Sequence, residues 1–168
     1  MESTAEKTRY ITILRHLFSI VMHNFISDIS HYDIVLNLAI QAKNSLWIGT
    51  ADIKDLYVIQ GQTEKPFLGI LSELIGHGVE VRLIHAKEPG PNFCKDFDKY
   101  PSLARMLERV LCPRVHFKII IIDQKICYIG SANLTGAGMG MKSAYRRNFE
   151  AGILTDNSDI VNAAIEEF

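Results

Sequence analysis

The chain has 168 residues, 48% of them hydrophobic, enough for one sizeable core and too few for two ordinary domains. Its net charge is −1, with 18 Lys and Arg against 19 Asp and Glu, which excludes the global basic field of many nucleic-acid binders. Three cysteines, Cys94, Cys112 and Cys127, are an odd number without C-x-x-C spacing, so the sequence points to reduced thiols, no metal site, no cofactor and a cytoplasmic setting.

The first predicted element runs from Arg9 to Ile26. Leu14, Leu17, Phe18, Val21, Met22 and Phe25 share one helical face, with Arg15, Ser19 and His23 elsewhere, which predicts an amphipathic helix. The stretch is too short and polar to span a bilayer and lacks a signal-peptide cleavage pattern. Residues 1–30 therefore read as a helical extension that packs on the domain or in a dimer, with membrane-surface contact the less favoured alternative. Residues 31–168 read as the domain that follows it.

A helix is predicted over Tyr32 to Lys43, a buried strand over Ser45 to Thr50, a helix over Lys65 to His77 stopped by Gly78, and a strand over Val79 to Ile84. That order is a β-α-β unit. His85-Ala86-Lys87 follows, then a loop with Pro89, Gly90 and Pro91, and a short helix over Ser102 to Leu111. Ile119 to Ile122 is apolar on both faces, which predicts a strand covered on both sides in a layered α/β domain. Asp123-Gln124-Lys125 reads as a tight turn into a strand over Ile126 to Ile129. A last strand is expected within Asn148 to Leu154, and a helix from about Ser158.

The chemistry concentrates at the start of the apolar strand. Period two sends His116 and Lys118 to the same side, an imidazole that can attack or carry a proton beside a cation suited to a phosphate oxygen. Gly130-Ser131-Ala132-Asn133 leaves the next strand with small residues, the glycine giving access and the Ser131 and Asn133 side chains giving hydrogen bonds. Asp123 is odd in spacing from Lys118, so within the catalytic set it reads as a supporting residue.

Together these residues spell H-x-K-x4-D-x6-G-S-x-N, once, and the run resembles the signature of the phospholipase D superfamily at all six fixed positions. The resemblance covers about Ile34 to the C-terminus. It implies a mixed sheet with helices on both faces and a metal-independent two-step phosphoryl transfer. One motif histidine attacks phosphorus, and a second protonates the leaving oxygen and then activates water. Carried over, His116 is the nucleophile or the acid, Lys118 and Asn133 bind phosphate, and Ser131 supports the phosphate site. An acidic residue in a later strand is implied as hydrogen-bond partner of the nucleophilic imidazole, and Glu150 is the match. The alternative for Glu150 is a solvated edge-strand carboxylate.

Two histidines are needed and one complete motif is present. His85-Ala86-Lys87 repeats H-x-K, but Asn92 stands at the aspartate position and no Gly-Ser-x-Asn follows, so His85 is assigned to the pocket rim. The short bacterial endonucleases of the superfamily, with one motif per chain, imply a homodimer in which two copies of His116 face each other.

Charge is uneven. Arg105 to Arg147 holds eight cations against two carboxylates, a local +6 that leaves −7 elsewhere. Within it, Gly136, Gly138 and Gly140 precede Lys142, Tyr145, Arg146 and Arg147, which reads as a loop that tracks a nucleic-acid backbone and stacks a base. A solvated loop, or one whose Met139 and Met141 meet lipid or a partner, stays open. The sequence thus points to a phosphodiesterase, foremost a nuclease. A phospholipid hydrolase and a non-catalytic nucleic-acid-binding module are the alternatives.

Overall fold

The structure, a computed structural model, describes residues 21–168 apart from Asp55, Gly61 and the Gln60 side chain. The strands are β1 (His23–Ser27), β2 (Ser45–Thr50), β3 (Tyr57–Gln60), β4 (Thr63–Pro66), β5 (Glu80–His85), β6 (Glu108–Leu111), β7 (Lys118–Ile122), β8 (Ile126–Gly130) and β9 (Ala151–Thr155). The helices are α1 (a π-wound turn His31–Leu36 running into Asn37–Ala39), α2 (Phe67–Gly76), α3 (Pro91–Phe97), α4 (Pro101–Met106) and α5 (Ser158–Ile165).

Among the described residues seven strands form one mixed sheet in the order β1-β9-β8-β7-β2-β5-β6, and β3 and β4 form a separate hairpin. β2, β5 and β6 run parallel to each other, and the other neighbours are antiparallel. Strand β7, Lys118 followed by four isoleucines, is buried at every position, its alternate isoleucines feeding two cores. Ile120 and Ile122 join Leu46, Ile48 and Leu83 under α1 and α2, while Ile119 and Ile121 join Trp47 and Cys127 under α5. Each such side chain contributes about 1.5–3 kcal/mol of burial. The expected layered α/β architecture, helices on both faces of a mixed sheet, is what forms.

Several boundaries follow local chemistry. α2 ends in a Schellman motif, with Val79 N–H on Leu74 O, Gly78 N–H on Ile75 O, and Gly78 at φ +84, where a side chain is strained. α5 starts where the Asn157 side chain accepts from the N–H groups of Asp159 and Ile160.

Other expectations need correction. The helix expected over Arg9 to Ile26 lies outside the described residues as far as Ile20, and its last part is instead β1, an edge strand paired with β9. Phe25 and Ile153 face each other across that pair and are exposed, so the apolar residues that suggested a helical face sit on a sheet. The helix expected over Ser102 to Leu111 stops at Met106, and Glu108–Leu111 becomes β6 because β5 offers it a parallel ladder. The strand expected within Asn148 to Leu154 starts only at Ala151, and α2 begins at Phe67 because β4 occupies Lys65 and Pro66. Among the described residues no helix is long and apolar enough to cross a membrane.

Candidate active site

The sheet has one chemically equipped end. Register places the last residues of β2, β5 and β8 beside the first residues of β7 and β9, so Thr50, His85, Lys118, Gly130 and Ala151 meet along it. Phe117 turns to the α5 side, where its ring lies 5.8 Å from that of Phe168. By alternation His116 and Lys118 turn to the other side. Gly49 makes room for this, since a Cβ there would lie 2.1 Å from the Phe117 ring.

His116 is exposed and Lys118 is 7% exposed. The Lys118 ammonium donates to His116 O at 2.7 Å and lies 3.4 Å from His116 Nδ1. His116 and Asn133 line one open hollow of about 320 Å³, with Asp52, Lys87 and Arg114 on its walls. The buried lysine is therefore tethered to the same residue whose imidazole faces solvent, which fixes a cation beside an exposed imidazole.

Asn133 is oriented by residues that sequence reasoning missed. Its Oδ1 accepts Asp52 N–H at 3.0 Å and lies 3.4 Å from Thr50 Oγ1, whose proton goes to Asp52 O at 2.8 Å. Leu134 N–H donates to Thr50 Oγ1, and Lys54 N–H to Leu134 O, tying the loop after β8 to the loop after β2. With the carbonyl oxygen occupied, the amide N–H₂ is the part of Asn133 left to serve an anion. No sequence signal marked Thr50, because only the fold brings it to a residue 83 positions away.

Ser131 and Glu150 form a unit of their own. Ser131 Oγ donates to Glu150 Oε2 and accepts Ala151 N–H at 3.1 Å, and Glu150 Oε1 accepts from Asn148 Nδ2 at 3.0 Å. The carboxylate expected on the His116 imidazole is thus engaged by Ser131 and Asn148. Gly130, read as giving a phosphate access, has a steric reason to be glycine. A Cβ there would lie 2.2 Å from the buried Tyr128 hydroxyl and 2.7 Å from Ala151 O.

Asp123 lies at the far end of β7, about 20 Å of strand from His116. It and Gln124 have φ of 53° and 52°, the left-handed pair of a type I′ turn, with Lys125 N–H bonded to Ile122 O. Its carboxylate accepts the N–H groups of Lys43, Asn44 and Ser45 at 2.6–3.1 Å. Burial alone would raise its pKa, but these donors outweigh it and hold the carboxyl below the ordinary value. Asp123 is a clamp on the fold, so its place in the catalytic set is corrected to the supporting role its spacing suggested.

His85 is the other correction. It is fully buried; its Nε2 accepts Arg109 Nε–H at 2.8 Å, so Nδ1 carries the proton and donates to Lys87 O at 2.8 Å. Burial, aided by the Arg109 charge and opposed by the Lys87 bond, holds its pKa below the ordinary value. Its neighbours Ala86 and Lys87 line the hollow in its place.

The glycine-rich loop is anchored. Met139 is buried, Met141 packs against the core, and Gly140 backs onto Asp28 O and Ile29. Arg147 Nε pairs with Asp28 at 2.9 Å, and the Tyr145 side chain is fully exposed. Lys142, Tyr145, Arg146 and Arg147 do not line the hollow of His116; Arg147 shares a different hollow with Glu150 and Phe149. Among the described residues no group of three or more His, Cys, Asp or Glu could hold a metal ion.

An exposed imidazole, a tethered ammonium and an oriented amide at the edge of a layered α/β sheet are groups of the kind phosphodiester chemistry requires. The chain belongs to the phospholipase D superfamily: the family model described as cardiolipin synthase, PLD-like domain, matches residues 35–168. It is a phosphodiesterase of that superfamily. The fold is similar to that of NucT from Helicobacter pylori, at 18% identity, 88% of this chain, 92% of that one and a TM-score of 0.61. It is equally similar to Nuc from Salmonella typhimurium, a phospholipase D family member, at 17% identity, 88% and 91% coverage and a TM-score of 0.61. The archaeal chromatin protein TrmBL2 matches over 97% of this chain and 58% of its own, at 12% identity and a TM-score of 0.58. No curated protein sequence matches the chain.

Proposed function

We propose that the chain is a nuclease whose active site is completed by a second copy of itself. The observation that carries this reading is the unequal state of the two H-x-K histidines. His116 is exposed in the hollow, whereas His85 is buried with both ring nitrogens engaged, so among the described residues, which do not include His16, the hollow has one imidazole in its lining. His23 is bonded to Thr155, His31 to Asp28, and His77 lines a hollow with Lys43 at the opposite end of β2. Two-step transfer through a phosphohistidine uses two imidazoles, and a two-fold axis supplies the second.

In this reading a His116 nitrogen attacks phosphorus as the P–O bond to the leaving group breaks. The partner copy's imidazole gives its proton to the departing oxygen. That imidazole then takes a proton from water, which attacks phosphorus, releases the phosphomonoester and restores His116. Lys118 and the Asn133 amide hold the non-bridging oxygens, and Ser131 with Glu150 supports the exit of β8. The +6 segment supports nucleic acid as substrate. A phospholipid hydrolase is favoured by one observation, the exposed apolar row Phe25, Ile153 and Ile129 across β1, β9 and β8.

The test compares cleavage of single- and double-stranded DNA, RNA and phospholipid vesicles, with and without chelator, by wild type and His116→Ala. Chelator-resistant nucleic-acid cleavage that His116→Ala abolishes is expected. Cleavage confined to vesicles, or nucleic-acid binding without any cutting, overturns the nuclease reading. Mixing His116→Ala with wild type lowers activity beyond simple dilution if each site needs both chains, and strict proportionality to the wild-type fraction overturns the shared site.

A further inference from the structure

We infer that the second H-x-K sequence builds a subsite for the nucleotide flanking the scissile phosphate, with Lys87 as its phosphate-binding residue. The inference rests on the nuclease reading and adds to it the direction in which the substrate strand runs. The hollow of His116 adjoins a larger one of about 790 Å³ between the loop after β2 and the loop after β5. Asp52 and Lys87 line both, so the two are one trough divided by these residues.

The charges of the trough pair off unequally. Asp52 lies 3.7 Å from Lys54, and Glu88 accepts from Arg109 at 3.4 Å. Lys87 is exposed, and among the described residues its ammonium has no carboxylate partner. It is the uncompensated cation on the wall shared with the catalytic hollow.

Its backbone is held from behind. The buried His85 donates to Lys87 O, and Arg109 closes the arrangement by donating to His85 Nε2 and to Glu88 while lying over the Phe97 ring at 5.5 Å. An imidazole locked in one tautomer by a guanidinium, which keeps its protons, is a rigid support for a loop. The same pair of residue types that performs chemistry on β7 therefore positions a cation after β5. Lys54, Asn92 and Lys87 give the larger hollow cations and a hydrogen-bonding amide beside the apolar Ile53, Pro91 and Phe93, with Asp52 and Glu88 engaged by Lys54 and Arg109, a mixture that suits a phosphate and its attached nucleoside.

The experiment measures kcat/KM on bis(p-nitrophenyl) phosphate, which has no flanking phosphate for Lys87 to bind, and on a fluorescent single-stranded 12-mer. Proteins are wild type, Lys87→Ala and Lys87→Arg, each checked for an unchanged melting curve. Lys87→Ala is expected to lower the ratio of oligonucleotide to small-diester efficiency about tenfold, mainly through KM, the scale of one charge-assisted contact. Lys87→Arg restores most of it. Oligonucleotide binding by His116→Ala, with and without Lys87→Ala, is measured against salt; loss of one phosphate contact makes the slope of log K on log salt shallower by about 0.7. Equal losses on both substrates, or an unchanged salt slope, overturn the subsite. If nothing is cut yet Lys87→Ala weakens binding and flattens the slope, the nuclease reading fails and the trough stands. If vesicles are cut with equal efficiency by wild type and Lys87→Ala, the subsite fails.

Discussion

The end of β5 and the start of β7 carry the same three-residue pattern on the same edge of one sheet, and they do different work. At His116 the imidazole is exposed, with a lysine ammonium 3.4 Å from Nδ1, and the residue lines an open hollow. At His85 both ring nitrogens are spent on Arg109 and Lys87 O, and the ring is sealed from solvent. The next partner decides the role of each. Lys118 begins a central strand whose neighbours end in Thr50 and Gly130, whereas β5 is flanked on one side by β6, whose Arg109 donates to His85 Nε2. In the proposed reading, the use of an H-x-K pair thus depends on whether the adjacent strand engages its imidazole.

The largest expected effect separates the two histidines by activity. His116→Ala lowers phosphodiester cleavage by at least about 10³-fold, the scale of a lost nucleophile or proton carrier, and leaves the melting temperature close to that of wild type. His85→Gln retains at least about a tenth of wild-type activity, because its effect reaches the substrate only through Lys87. Equal activity losses in the two variants, measured on one small diester, would break the contrast.

Stability reverses the order. His85→Ala leaves Arg109 Nε and Lys87 O facing a cavity and is expected to cost about 2–4 kcal/mol in urea unfolding. A third residue of the motif sharpens the point. Asp123→Ala removes the acceptor of the Lys43, Asn44 and Ser45 N–H groups and costs about 2 kcal/mol, while cleavage by the protein that remains folded is retained. A collapse of activity without loss of stability would return Asp123 to the chemistry.

What could be read from the sequence was local. The β7–β8 hairpin, its Asp123 turn, the His116–Lys118 pair and the stop at Gly78 each follow from a few consecutive residues with one favoured conformation. What could not be read depended on distant partners. Glu108–Leu111 has a helical context in sequence and becomes a strand because β5 has a free parallel edge. The hairpin β3–β4 lies in a stretch without strong alternation. Thr50 and Asp52 orient Asn133 across the sheet edge, and Glu150 is engaged by Ser131 and Asn148. Spacing within the motif named the residues, and strand order assigned their partners.

The smallest effect is a pH dependence, and its sign follows from burial. His85 is held neutral in the folded chain, first by desolvation, with its pKa below the ordinary value of 6.5. As pH falls through that value the unfolded chain binds a proton that the folded chain refuses, so stability is complete above about pH 6.5 and declines below it. The decline is at most about 1.4 kcal/mol per pH unit for one proton. Protonation would also set an N–H at Nε2 against the Arg109 N–H, so the folded state has no second way to accept it. Asp123, held low by its three donors, adds its own loss only near and below about pH 4, which keeps the two windows apart. Urea unfolding of wild type and His85→Gln between pH 5 and 7, with both curves aligned at pH 8, is therefore expected to show a slope in the first that is reduced in the second; identical slopes would mean that the imidazole after β5 accepts a proton as readily as one in water.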